Sequence, residues 1–87
     1  MRNEHFDVPV TIEGDKPGRT NVVADAVHAA ETLLERWPEK ERGPAYRAAL
    51  KACMDVMEGR KQVASARRAF VKAAKSAHVF VRVRAAG

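Results

Sequence analysis

The stretch GPAYRAALKACMDVMEG, residues 43–59, has the pattern of one amphipathic helix. Its apolar side chains recur at three- and four-residue steps, which places them on one inner face of the helix. The residues of this face are Tyr46, Ala49, Leu50, Cys53 and Met57. Met54 and Val56 flank the face. Pro44 suits the first helical position, where a missing N–H costs no hydrogen bond. Gly59 suits the left-handed residue that closes a helix. The stretch therefore predicts a helix that packs one face against a core.

Two further helices are predicted, one on each side of this stretch. The earlier helix begins at about Val23 and ends at Trp37, because Pro38 cannot continue it. Its inward residues are Val23, Ala26, Val27, Ala30, Leu33, Leu34 and Trp37. A charged loop, residues 39–42, follows. The later helix covers residues 61–77, with Val63, Ala66, Phe70, Ala73, Ala74 and Ala77 inward.

The two ends of the chain have the alternating pattern of strands. Residues 6–12 form the first strand, and Pro9 places it at a sheet edge because proline has no N–H for the ladder. Turn-forming residues 13–18 lead to a second strand, residues 19–22, and residues 78–84 form a third. The expected fold is α+β in the order β-β-α-α-α-β, with a small antiparallel sheet, made of the N-terminal hairpin plus the C-terminal strand, packed on three helices.

Length and composition predict one domain, residues 1–87, with an ordered core of about residues 6–83. The hydrophobic share of 46% and the charged share of 31% are typical of folded proteins. Cys53 is the single cysteine, so no intramolecular disulfide can form, which favours a reducing, cytoplasmic location. No apolar run approaches the roughly 20 residues that span a bilayer, and we expect no membrane partner.

Several motifs resemble a known family. They are Leu33-Leu34-Glu35-Arg36-Trp37-Pro38, the run from Gly43 to Cys53, Glu58-Gly59, and the run from Ala66 to Ala74. Together they resemble a family of short bacterial proteins catalogued as domain of unknown function 982, over roughly Val8 to Val81. The chain departs from that pattern at His78 and in its basic tail. The resemblance implies a compact bacterial domain and transfers no catalytic residue.

The sequence contains little that suggests catalysis. Cys53 lies on the inner face of its helix, where a free cysteine acts as a small hydrophobe and not as a nucleophile. The three histidines are scattered, and no phosphate-binding loop or nucleophile elbow is present. We therefore expect no enzyme activity, no cofactor and no metal site.

The aromatic residues Trp37 and Tyr46 bracket the turn between the first two helices. They predict core packing, with the indole N–H and the phenol O–H reaching solvent or a backbone carbonyl. The alternative is a recognition patch, because aromatic residues and arginines such as Arg36, Arg42 and Arg47 are enriched at binding hot spots.

Charge is divided unevenly along the chain. Residues 1–59 contain eight basic and 11 acidic residues, a net charge of −3, whereas residues 60–87 contain eight basic residues and no acid. The candidate anion- or partner-binding residues are Arg60, Lys61, Arg67, Arg68, Lys72 and Lys75. Two features favour a binding role for these residues. Arg68 and Lys72 repel each other at i, i+4 without a compensating acid. The third helix also begins without a capping side chain. Alternatively, Arg60 and Lys61 stabilise the C-terminal end of the second helix.

These features predict a binding or adaptor module whose basic helix face contacts nucleic acid or an acidic protein. The face lacks the Asn and Gln side chains that read base edges, so binding to nucleic acid would be mainly electrostatic. The alternative is a structural or regulatory homodimer, formed through residues 79–83 or an exposed apolar edge, with no role in nucleic-acid binding.

Overall fold

The computed structural model describes residues 5–14 and 18–81. These residues form three strands and three α-helices in the predicted order β-β-α-α-α-β, which confirms the α+β class. The elements are β1 His5–Glu13, β2 Thr20–Asp25, α1 Ala26–Glu35, a 3-10 turn Glu39–Glu41, α2 Pro44–Met57, α3 Val63–Ser76 and β3 Phe80–Val81.

The sheet is antiparallel with the strand order β2-β1-β3. Strand β1 is therefore central, and the prediction that Pro9 places it at an edge is wrong. The pairing with β2 is irregular between His5 and Val10. His5 pairs with Asp25 and Val10 pairs with Val23, so an advance of five residues along β1 corresponds to only two residues along β2. Pro9 lies in this irregular stretch, so its missing N–H interrupts no regular ladder.

The second strand is longer, and the first helix shorter, than predicted. Val23 belongs to β2 and is fully buried, and α1 begins three residues later. The side chain of Asp25 caps the helix, because its Oδ1 accepts a hydrogen bond from the His28 N–H at 2.7 Å. The helix ends at Glu35, before Trp37, and residues 39–41 form a 3-10 turn instead of a simple loop.

Two residues predicted on the inner face of α1 point outward. Val27 is 41% exposed and Leu34 is 53% exposed, whereas the neighbouring Leu33 is fully buried. At 100° per residue, Val27 and Leu34 lie about 90–110° round the helix from the line through Ala26 and Leu33. The predicted stripe was therefore too wide, and its inner part alone faces the core.

Helix α2 agrees with the prediction at both ends. Pro44 occupies the first helical position, and Gly59 has a φ of 80°, the left-handed conformation expected after the last turn. Tyr46, Ala49 and Cys53 are buried as predicted. Met54, predicted beside the inner face, is exposed.

The third helix leads directly into the last strand. His78 has a φ of 61°, which turns the chain after α3, and the Val79 carbonyl then accepts a hydrogen bond from Glu13 at 2.8 Å. Strand β3 pairs with β1 through Phe80 opposite Ile12 and Val81 opposite Thr11, as expected for a strand that joins the hairpin. The predicted continuation to residue 84 lies outside the described residues.

The core lies between one sheet and one layer of helices, consistent with a shortest principal extent of 17 Å. The sheet contributes Phe6, Val10, Ile12 and Val23, and α3 contributes the fully buried Phe70. Buried alanines on all three helices leave room for close helix packing. Of the helices that the structure describes, none combines the length and the apolar character needed to cross a membrane.

Candidate nucleic-acid interface

The two sides of α3 differ sharply in composition. Ala66, Phe70, Ala73 and Ala74 are buried, and α3 packs mainly against α2 and β1. The opposite side is formed by four exposed cations, here called the basic face: Lys61, Arg68, Lys72 and Lys75. The burial of the small inner residues therefore forces this row of cations toward solvent.

The basic face runs along most of the helix. Arg68, Lys72 and Lys75 are separated by four and three residues, so they stand about one turn apart and span about 10 Å. Lys61 precedes the helix at its N-terminal end, where the side chain of Gln62 makes no capping hydrogen bond within the described part of the chain. The expected absence of a side-chain cap on α3 is thus confirmed.

The cations of the basic face have little local compensation. Among the described residues, Lys61 and Lys72 have no hydrogen-bond or ion-pair partner, and Arg68 reaches only the Ser65 hydroxyl, at 3.5 Å from Nη2 to Oγ. The Lys75 ammonium lies 5.3 Å from the centroid of the Phe80 ring, a cation–π contact. None of these contacts neutralises charge.

Arg67 makes a long-range contact that the sequence did not predict. Its Nε donates a hydrogen bond to the Val8 carbonyl oxygen at 2.8 Å, across 59 positions of sequence. Val8 lies in the irregular stretch of β1, so this bond satisfies a carbonyl that regular pairing with β2 would otherwise occupy. Arg67 is half-buried, and through this hydrogen bond its side chain supports the sheet.

Arg60 also stands apart from the basic face. It lies in the connection between α2 and α3, and its Nε is 3.6 Å from the Glu58 carboxylate. Both side chains are mostly exposed, so the pair is weak. Of the six predicted candidates, Lys61, Arg68, Lys72 and Lys75 therefore share one face, and Arg60 and Arg67 have other partners.

Two clefts flank Arg67 between α3 and the sheet. One has a volume of about 290 Å³ and includes Phe6, Asp7 and Arg68, and the other has about 200 Å³ and includes Lys75 and Phe80. The larger cleft is at the lower end of the roughly 300–1,000 Å³ of ordinary small-molecule pockets, and the other is below it.

Cys53 is fully buried in the core. Burial raises its pKa from 9.0 to about 12, because desolvation disfavours the thiolate. The side chain is therefore a neutral thiol near pH 7 and lacks the properties of a nucleophile. In the part of the chain that the structure describes, no group of three or more potential ligand side chains could hold a metal ion.

The aromatic cluster near the α1–α2 connection is part of the core. Trp37 and Tyr46 are buried, with their ring centroids 6.5 Å apart, and Trp37 also contacts Phe70 at 5.6 Å. Arg42 lies 5.4 Å above the Tyr46 ring, and its Nη2 donates to the Trp37 carbonyl at 3.1 Å. The prediction of core packing is confirmed. The prediction that the indole N–H of Trp37 reaches solvent or a backbone carbonyl is wrong, because this group is buried and has no hydrogen-bond partner among the residues that the structure describes.

Comparison with known proteins identifies a family and no individual relative. The family model described as "Protein of unknown function (DUF982)" matches residues 8–81, which is most of the chain. No curated protein and no solved structure matches the chain.

Proposed function

This chain belongs to the DUF982 family of proteins of unknown function, and from that starting point we propose that it is a non-enzymatic, cytoplasmic module that binds nucleic acid. The contact is made by the basic face of α3. The observation that carries the proposal is a row of exposed cations with no acidic partner among the described residues. The single free, buried Cys53 supports a reducing compartment.

Contact with phosphates would relieve an electrostatic repulsion between side chains of the free protein. Arg68 and Lys72 lie one turn apart, and like charges at this spacing repel each other. A nucleic-acid backbone supplies negative charges along its length, and each phosphate that is neutralised releases condensed counterions. Binding therefore gains free energy from removal of the repulsion and from counterion release.

The residues around the basic face favour binding without sequence specificity. Residues 63–76 contain no Asn or Gln, the side chains that hydrogen-bond to adenine edges, although Arg68 and the lysines can contact phosphates. The aromatic residues offer little stacking surface, because Phe6, Trp37, Tyr46 and Phe70 are buried and the half-buried Phe80 has the Lys75 ammonium over its ring. Since single-strand binders use stacked aromatics, we expect duplex to bind at least as well as single strands.

The experiment is a fluorescence anisotropy titration of a labelled duplex and the matching single strand at low salt. Non-specific electrostatic binding has a Kd of roughly 1–100 μM near physiological salt, and the wild type should bind at least this tightly at the low salt of the titration. The test variant carries Lys61→Glu, Arg68→Glu and Lys72→Glu, which leaves the Lys75–Phe80 contact intact.

A matched control separates the basic face from net charge. The control variant carries Arg36→Glu, Lys40→Glu and Arg47→Glu, which makes the same change in charge at exposed positions near the α1–α2 connection. The proposal expects binding to be lost in the α3 variant and largely kept in the control. Equal losses in both variants would contradict the proposal, because binding would then depend on net charge and not on the basic face. No wild-type binding to either oligonucleotide would also contradict it and would favour an acidic protein surface as the partner.

A further inference from the structure

Strand β2 forms one edge of the sheet, and no other strand that the structure describes pairs with its outer side. Exposed edges are usually protected by lysine, proline or a bulge, since free backbone groups recruit other strands. The six residues TNVVAD contain neither lysine nor proline, and their pairing with β1 is regular from Thr20 to Val23. The edge is thus open to pairing with another strand.

The pairing with β1 determines which backbone groups face outward. The Gly14 N–H donates to the Arg19 carbonyl at 2.6 Å, so the two residues form a hydrogen-bonded pair. Such pairs alternate along an antiparallel ladder, which makes Asn21 and Val23 face β1 as well. The N–H and C=O groups of Thr20, Val22 and Ala24 therefore point away from the sheet.

We propose that a second copy of this chain pairs with this edge, antiparallel, about a two-fold axis at Val22. Val22 then lies opposite Val22 of the second copy, and Thr20 lies opposite Ala24 in both directions. All three pairs bring outward-facing groups together, so they exchange about six hydrogen bonds. The alternation of side chains is preserved, and both sheets keep their buried faces on the same side.

Charge complementarity selects the same register. With the axis at Val22, Arg19 lies opposite Asp25 of the second copy, and the reciprocal pair forms at the other end. Asp25 uses Oδ1 to cap α1, and among the described residues its other oxygen has no partner. If the axis is moved by one residue, to Asn21 or Val23, only two hydrogen-bonded pairs remain in place of three. Arg19 is then no longer opposite Asp25.

Burial of Val22 supports the same axis. Its side chain is 54% exposed in the single chain. The pairing brings two β-branched side chains together across the axis, and such cross-strand pairs stabilise sheets. The interface leaves the basic face of α3 unused, so this inference is independent of the proposed nucleic-acid contact. It also differs from the dimer predicted through residues 79–83.

The first test is a cross-linking comparison between Val22→Cys and Val81→Cys under mild oxidation. Directly opposed hydrogen-bonded residues have Cα atoms about 5.5 Å apart, within the range that a disulfide spans. Native Cys53 is buried and does not compete. We expect Val22→Cys to form disulfide-linked dimer at least about tenfold faster than Val81→Cys, because pairing raises the effective thiol concentration. Equal rates, or faster reaction of Val81→Cys, would overturn the proposal.

The second test is sedimentation equilibrium of the unmodified chain up to about 1 mM, which detects association of millimolar strength. The average mass should rise from 9.6 kDa toward that of a dimer. Val22→Lys, which places like charges at the axis and removes no β1–β2 hydrogen bond, should stay monomeric, whereas Val81→Lys should behave as wild type. A monomeric wild type, or a dimer that Val22→Lys leaves intact, would contradict the proposal.

Discussion

The Nε of Arg67 lies 2.8 Å from the carbonyl oxygen of Val8, and this hydrogen bond joins the third helix to the irregular stretch of β1. Arg67 comes from the basic segment of the chain, directly before Arg68. The two adjacent arginines therefore have opposite roles, since one side chain supports the sheet and the other faces solvent. This difference makes them a natural pair for testing scaffold and surface separately.

Replacement of Arg67 by alanine should destabilise the fold. The change leaves the Val8 carbonyl without its charged donor, and hydrogen bonds of this kind contribute roughly 1.5–3 kcal/mol. Partial access of water to the site should bring the loss in the free energy of unfolding to about 1–2 kcal/mol. Urea denaturation followed by circular dichroism measures this change.

Arg68→Ala is the control for that substitution. It removes the same side chain one position later, where the residue is exposed, and should change the free energy of unfolding by less than about 0.5 kcal/mol. Equal effects of the two variants would show that the Arg67–Val8 hydrogen bond does not contribute to stability.

The neighbouring residues Leu33 and Leu34 provide a second matched pair. Leu33 is fully buried and Leu34 is 53% exposed, although the sequence pattern places both inward. Leu33→Ala should cost about 2–5 kcal/mol through lost apolar contact and a residual cavity. Leu34→Ala should cost less than about 1 kcal/mol, since half of its side chain remains in water. Thermal denaturation of both variants measures the two losses of stability. A larger loss in Leu34→Ala would contradict the orientation of α1.

The thiol of Cys53 gives a pH-dependent prediction. Burial raises its pKa from 9.0 to about 12, so the folded protein keeps a proton that the unfolded chain releases. The contribution to stability is complete below pH 9 and is lost as the pH rises toward 12, at roughly 1.4 kcal/mol per pH unit.

Urea denaturation of the wild type and of Cys53→Ala between pH 8 and about pH 10.5 measures this contribution. The wild type should lose stability relative to Cys53→Ala above pH 9. The native thiol should also resist a water-soluble thiol reagent at pH 8 and react after unfolding. Rapid labelling of the folded protein, or parallel pH profiles of the two proteins, would contradict the burial of Cys53.

Periodicity in the sequence was sufficient for the element order and for α2, because Pro44 and Gly59 mark both ends of that helix. It was insufficient at the junction of β2 and α1. Val23 fits both the alternation of a strand and the stripe of a helix, and the cap at Asp25 is the local signal that separates them. Strand order was also beyond local rules, since Pro9 indicates an edge only where pairing is regular.

The candidate site was predictable in part for a similar reason. Helical spacing is local, so it places Arg68, Lys72 and Lys75 on one exposed face. The role of Arg67 depends on a contact with Val8 across 59 positions, and no pattern within one helix contains that information. Long-range partners distinguish scaffold cations from surface cations, and they become visible only in the folded chain.

The most direct test of the central claim is the salt dependence of duplex binding by the wild type and by the Lys61→Glu, Arg68→Glu, Lys72→Glu variant. If the basic face neutralises three or four phosphates, the logarithm of the association constant should fall with the logarithm of salt concentration with a slope of about −3. The variant should show no measurable binding at the lowest salt. A slope near zero in the wild type, or the same slope and affinity in the variant, would show that α3 does not form the nucleic-acid interface.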